Sequence, residues 1–185
     1  ALDLDGVVFD SENLYRVYSE IYDVDIFKDN NLIDNTKRRF QERYNWTKEE
    51  SKRFYEESIN LVLPCANIMP GADIVINKLL EYYEFIIVTS RPDSEMKYAT
   101  KHFNKLGLEN VKVFINEHEK IDRFIKEKVD YIIDDDENIC INAANNNITA
   151  LFLKNNAALP IDKNDVINVC NWGEIYRYLV NALKK

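Results

Sequence analysis

The sequence predicts an α/β protein, a Rossmann-like parallel sheet flanked by helices, with an all-helical cap inserted after the first strand. Three observations carry this expectation. Short, nearly continuous apolar runs recur along the chain, which suits parallel strands covered on both faces. Amphipathic helical patterns separate them, so strand and helix alternate in doubly wound fashion with right-handed crossovers. From about Ser11 to Met69 the alternation stops and only helical signals remain.

The apolar runs are Val7-Val8-Phe9 with the residues before it, Phe85 to Val88, Val111 to Ile115, Tyr131 to Ile133, and Ile148 to Leu153. Helical patterns lie between them. Residues 72–83 place Ile76, Leu79, Leu80 and Tyr83 on one face. Residues 94–106 open at Ser94, a good N-cap, and stop before Gly107, a good terminator. Residues 118–128 carry Ile121, Phe124 and Ile125, and residues 172–183 carry Ile175, Tyr178, Leu179 and Ala182. In the cap, Leu14, Val17, Tyr18, Ile21 and Tyr22 form a helical stripe. A second helix starts after Thr47, with Glu50 completing a capping box, and ends at Pro64. The Asn clusters at 145–147 and 155–156 read as helix ends and turns. The expected organisation is therefore an α/β core over 1–10 and 70–185 and a cap over 11–69. An insertion at that place overhangs the carboxyl ends of the strands, where α/β proteins bind ligands.

Composition narrows the function classes. The chain has 185 residues, 46% of them hydrophobic, enough for a sizeable core. A net charge of −8 argues against a broad nucleic-acid or membrane surface. It leaves room for a small anionic substrate, because a bound cation and a few basic side chains dominate the local field. No stretch approaches the ~20 apolar residues of a membrane helix. Three scattered cysteines, Cys65, Cys140 and Cys170, read as buried thiols in a reducing compartment, hence a cytoplasmic protein. Only Ala1 and Leu2 precede the first acidic motif, so the strand that delivers it is expected to begin before Ala1.

Three strand ends carry chemistry. The first is Asp3-Leu4-Asp5-Gly6-Val7-Val8-Phe9-Asp10. Two acids two residues apart share a strand face, and the glycine lets the backbone leave the sheet. Close carboxylates want a cation; one can attack phosphorus while the other handles the leaving-group proton. The second is Phe85 to Pro92, a strand ending in Thr89, Ser90 and Arg91 before a helix start, which makes an anion cradle. The third is Tyr131-Ile132-Ile133-Asp134-Asp135-Asp136, whose carboxylates suit Mg²⁺. Lys120 opens the helix before that strand. Each motif alone also fits an ordinary solvated turn. Together, on parallel strands, they fall on one edge of the sheet.

The order of these motifs resembles the haloacid dehalogenase-like hydrolase superfamily across the whole chain. The resemblance implies that Asp3 is a nucleophile that becomes an aspartyl phosphate, and that Asp5 protonates the leaving group and then activates water. It implies that Thr89, with Ser90, Arg91 and Gly6 nearby, binds the phosphoryl oxygens, and that Lys120 steadies the nucleophile. Mg²⁺ is then expected at Asp3, the backbone carbonyl of Asp5, and Asp134 or Asp135. The dehalogenating branch lacks an acid at the place of Asp5, so the chain resembles a phosphatase. Phosphonate cleavage needs a cap lysine, and Lys28, Lys37, Lys48 and Lys52 leave that open. A narrower resemblance, on Asp3-x-Asp5-Gly6-Val7-x-x-Asp10, Pro70-Gly71-Ala72, Thr89-Ser90-Arg91-Pro92 and Ile133-Asp134-Asp135, is to the 5′(3′)-deoxyribonucleotidases and their bacterial nucleotidase-like relatives. It implies a nucleoside monophosphate as substrate. Phe9, Tyr15, Tyr18, Tyr22, Phe40, Tyr44 and Trp46 are candidates to stack on a base or to form the cap's own core. Rival readings are a phosphatase of sugar phosphates or other metabolites, a phosphotransferase, and a non-catalytic binding module on the same fold.

Overall fold

The structure is a computed structural model that describes residues 1–28, 31–155 and 157–184. Asn156, one of the asparagines read as a turn, lies outside the described residues. Five named strands, β1 (Ile86–Val88), β2 (Lys112–Phe114), β3 (Tyr131–Asp134), β4 (Thr149–Leu153) and β5 (Val166–Val169), pair only in parallel. Leu2 joins β1 to β3 through parallel bridges to Ile87 and Ile133. Its N–H donates to Ile86 O (2.9 Å), and Leu2 O accepts from Val88 N (3.0 Å). Counting this amino-terminal segment as the first strand, the order is 3-2-1-4-5-6, that of doubly wound nucleotide-binding sheets.

Alternation along the strands explains the two layers. Ile87, Ile133, Leu151 and Leu153 point to one face, where Ile76, Leu79, Leu106, Ile175 and Leu179 cover them. These come from α4 (Ala72–Leu79), α6 (Phe103–Leu106) and α9 (Trp172–Ala182), with α5 (Asp93–Thr100) adding Met96 and Ala99. Ile86, Val88, Ile132, Ala150 and Phe152 point to the other face, against Phe124 of α7 (Ile121–Lys126) and Ile139, Cys140 and Ala143 of α8 (Glu137–Asn145).

Between residues 10 and 67 the chain forms α1 (Ser11–Asp25), α2 (Phe40–Arg43) and α3 (Lys48–Val62). The segment leaves and returns side by side: Asp10 N donates to Asn67 O (2.9 Å) and Met69 N to Val8 O (2.8 Å). The expected capping box is present, with Thr47 accepting from Glu50 N and Glu50 accepting from Thr47 N. The segment has its own aromatic core of Tyr15, Tyr44, Trp46 and Phe54, in which Tyr44 and Trp46 stack at 4.3 Å. Leu14, Tyr18, Tyr22 and Phe40 pack against it. Val17 and Ile21 of the expected stripe face solvent, because polar groups take that part of the interior: Asp23 accepts from Trp46 Nε1 (2.7 Å) and Ser19 pairs with Tyr44.

Other differences from the sequence reading have local causes. Val7 to Phe9 is a turn, not a strand: Val8 N and Phe9 N both donate to Leu4 O (2.9 Å each). The helix expected over 94–106 is two helices, α5 and α6, broken at a tightened turn where His102 N donates to Ala99 O. Its N-cap is Pro92 and not Ser94. β5 was not expected because Asn168 interrupts its apolar run; that side chain bonds both Ile161 N and Ile161 O at 2.8 Å. Cys140 is buried as expected, whereas Cys65 and Cys170 are exposed, and all three are free.

Candidate active site

The central strand segment ends at Asp3, and Gly6 reverses the chain there. Gly6 has φ +74°, a conformation side chains rarely adopt, and a Cβ on it would fall 2.0 Å from Asp135 Oδ2. The turn thus seats the first acidic motif against the third. Asp3, Asp134 and Asp135 are all buried, and each offers an oxygen within 4.8 Å of the others.

Lys120, the N-cap residue of α7, is buried between two of these acids. Its Nζ lies 2.7 Å from Asp134 Oδ2 and 3.0 Å from Asp3 Oδ2. Burial alone would lower its pKa, but Asp134 and Asp3 raise it above the ordinary lysine value. The Asp3 carboxyl is pushed up to about 6 by burial; Lys120 opposes the rise and Asp134 adds to it. Burial likewise pushes Asp135 well above the usual carboxylate range, with Arg38 opposing and Glu12 and Asp134 adding. Three acids crowded out of water behind one lysine are a charge problem that a divalent cation solves. Asp135 Oδ1 is buried with no hydrogen-bond partner among the described residues, which suits a carboxylate that ligates an ion. An all-oxygen donor set fits Mg²⁺.

Asp5 is turned the other way. Arg91 grips it through Nε to Oδ2 (2.7 Å) and Nη2 to Oδ1 (2.6 Å), and Ser11 Oγ donates to Oδ1. Burial would raise the Asp5 pKa, but the Arg91 hydrogen bonds and charge, helped by Ser11 and Arg38, bring it below the ordinary value. Arg91 was expected on the phosphate; its observed partner is Asp5, and its Nη1 is buried without a partner among the described residues. Thr89 is buried beside it, its Oγ1 accepting from Arg91 N (3.3 Å), while Ser90 is exposed. Asp136, the last of the three successive acids, caps α8 by accepting from Asn138 N (2.8 Å) and Ile139 N (3.3 Å).

Two participants escaped the sequence reading. Arg38, on the loop before α2, donates from Nε to Asp135 Oδ2 (2.9 Å). Glu12, at the start of α1, lies 3.7 Å from the same nitrogen. The signal for Arg38 was the basic run Lys37-Arg38-Arg39 in an otherwise acidic chain. A cleft of about 290 Å³ opens beside Gly6, Asp10, Glu12, Asn13, Asp135 and Lys154. Lys37 lines a second cleft of about 190 Å³ with Arg38, Asp135 and Asp136, whereas Lys28, Lys48 and Lys52 are exposed. Tyr15, Tyr44, Trp46 and Phe9 are buried.

The close contact at Gly6 gives a prediction with an internal control. Gly71 also has positive φ (+84°), but a Cβ there meets nothing nearer than 3.8 Å. Gly6→Ala is expected to cost about 1–3 kcal/mol from backbone conformation, plus the displacement of Asp135. Thermal melts should therefore place Gly6→Ala below Gly71→Ala, and only the former should lose divalent-ion binding.

Solved structures share this architecture. One is a HAD-superfamily hydrolase of subfamily IA from Geobacter sulfurreducens, 15% identical, with a TM-score of 0.59 over 96% of each chain. Another is a predicted phosphoglycolate phosphatase from Haemophilus somnus, 16% identical, with a TM-score of 0.58 over 96% of each chain. A third is a HAD family hydrolase from Deinococcus radiodurans with bound phosphate and sodium, 12% identical, with a TM-score of 0.58 over 98% of this chain and 94% of that one. The chain has the haloacid dehalogenase-like fold. No family model and no curated protein sequence matches it. Among the described residues no helix is long and apolar enough to cross a membrane.

Proposed function

We propose that this chain is a Mg²⁺-dependent phosphomonoester hydrolase that works through an aspartyl phosphate on Asp3. The observation that carries the reading is the convergence of Asp3, Asp134 and Asp135 at the carboxyl ends of neighbouring parallel strands, with Lys120 between the first two. Residues 1–10 and 70–185 act as the catalytic core and 11–69 as a cap that selects the leaving group.

The Asp3 carboxylate attacks phosphorus as the ester P–O bond breaks. Asp5 gives a proton to the leaving oxygen, then takes one from the water that attacks the same phosphorus. The Asp3–phosphorus bond breaks and inorganic phosphate leaves. Asp5 can carry that proton only when Arg91 loosens its two-point hold; phosphoryl oxygens near Thr89 and Gly6 are the natural alternative acceptors for Arg91. Lys120 holds Asp3 ionised and oriented. Asp3, Asp134 or Asp135, and the Asp5 carbonyl would hold the ion, which when bound offsets the charge between carboxylate and phosphoryl oxygens.

The substrate class is a small phosphorylated metabolite. The first-motif, Pro-Gly-Ala and Thr-Ser-Arg-Pro resemblance supports a nucleoside monophosphate. The burial of Tyr15, Tyr44 and Trp46 in the segment's own core favours a smaller leaving group, such as a sugar or a hydroxy acid. Free, exposed Cys65 and Cys170 fit a reducing, cytoplasmic setting. A panel of nucleoside monophosphates, sugar phosphates and phospho-acids separates the two substrates. EDTA is expected to abolish turnover of p-nitrophenyl phosphate and Mg²⁺ to restore it; turnover that persists in EDTA rejects the metal.

A further inference from the structure

Asp135, one of the carboxylates that would hold the ion, already has a cation beside it, supplied by the chain itself. Arg38 Nε donates to Asp135 Oδ2 at 2.9 Å, and Arg38 Nη1 lies 3.6 Å from Asp136 Oδ2. Arg39 Nη2 sits 3.5 Å from that same Asp136 oxygen. Both arginines reside on the loop between α1 and α2, whereas both acids lie in the turn from β3 to α8. The loop is built to present them. Arg16, held by Glu12 (2.8 Å), donates to Asn35 O (2.9 Å) and Lys37 O (3.1 Å), and Asp34 accepts from Thr36 N and Thr36 Oγ1. The acid that Arg38 reaches, Asp135, is almost wholly buried, and its other oxygen has no partner among the described residues.

One carboxylate oxygen is thus committed to a guanidinium while the other stays open. A divalent ion entering among Asp3, Asp134 and Asp135 places two more positive charges beside Arg38 and draws on the carboxylate that Arg38 holds. The two cations repel and compete for the same donor. We propose that Arg38 is a positioning residue that acts through Asp135: it occupies the carboxylate in the ion-free chain and yields it on ion binding, so that metal loading releases the 34–39 loop from the strand ends. This inference rests on the metal reading above but adds a coupling that the reading does not require.

The test measures Mn²⁺ affinity directly by isothermal titration in the wild type and in Arg38→Ala and Arg38→Lys. It also follows hydrogen exchange across residues 34–43 with and without Mn²⁺. Arg38→Ala is expected to bind Mn²⁺ about tenfold tighter, equivalent to 1.4 kcal/mol, with Arg38→Lys between it and wild type. Exchange over 34–43 is expected to quicken on adding Mn²⁺ to wild type, and to be fast with or without Mn²⁺ in Arg38→Ala. Wild-type Mn²⁺ binding with equal or weaker affinity in Arg38→Ala, or slower loop exchange on loading, overturns the coupling and leaves the metal site standing. No binding by any of the three chains, each confirmed folded by circular dichroism, overturns both.

Discussion

Asp3→Asn is expected to lose phosphatase turnover by roughly 10⁴-fold or more while the protein stays folded and melts no lower than wild type. The activity loss follows because an amide cannot form the acyl phosphate. The unchanged or raised melting point follows from the crowding of the site. Burial and Asp134 push the Asp3 carboxyl up to about 6 even with Lys120 beside it, so the ionised group is an electrostatic cost in the ion-free fold. Removing that charge leaves Lys120 its stronger contact, 2.7 Å to Asp134. Steady-state assay with p-nitrophenyl phosphate and a thermal melt read the two halves separately. Retained turnover removes the nucleophile assignment; a large fall in melting point means that Asp3 is structural.

Lys120→Met carries the opposite expectation. Methionine keeps much of the side-chain bulk and removes only the charge between Asp3 and Asp134. Stripping one partner from a buried ionic cluster costs about 3–5 kcal/mol. For a chain of 185 residues that is a melting point lower by roughly 6–20 °C. Saturating Mg²⁺ is expected to recover part of the loss, since an ion that binds only the folded state stabilises it by mass action. A melt of Lys120→Met in EDTA and in Mg²⁺, beside wild type, checks this. No shift in EDTA would mean that the lysine does not compensate these acids.

These effects were legible in the sequence to unequal degrees. The apolar runs around Ile87, Ile132 and Leu151 announced buried parallel strands, because each is a short continuous stretch of core residues. Thr47 and Glu50 announced α3 because a capping box is a local hydrogen-bond pattern. Asp3, Asp134 and Asp135 were singled out because strand ends in a parallel sheet share an edge, and Lys120, at a helix start, through the family resemblance; the structure brings the four together. What stayed hidden depends on contacts distant in sequence. The hold of Arg91 on Asp5 spans 86 residues and that of Arg38 on Asp135 spans 97, and no spacing rule reports either. The exposure of Val17 and Ile21 was hidden for a similar reason. Periodicity marks an apolar stripe but does not say that Asp23 and Ser19 will be drawn inward by Trp46 and Tyr44. β5 was missed because Asn168 reads as a turn residue until its partners at Ile161 are known.

The central claim is that phosphate passes through a covalent bond to Asp3. Single-turnover reaction with Mg²⁺ and excess enzyme, quenched in acid and mapped by peptide mass spectrometry, tests it most directly. The account predicts a transient phosphoryl adduct on the peptide containing Asp3, cleaved by hydroxylamine and absent in Asp3→Asn. Product formed at full rate with no adduct at any time point, or an adduct on another residue, would contradict it.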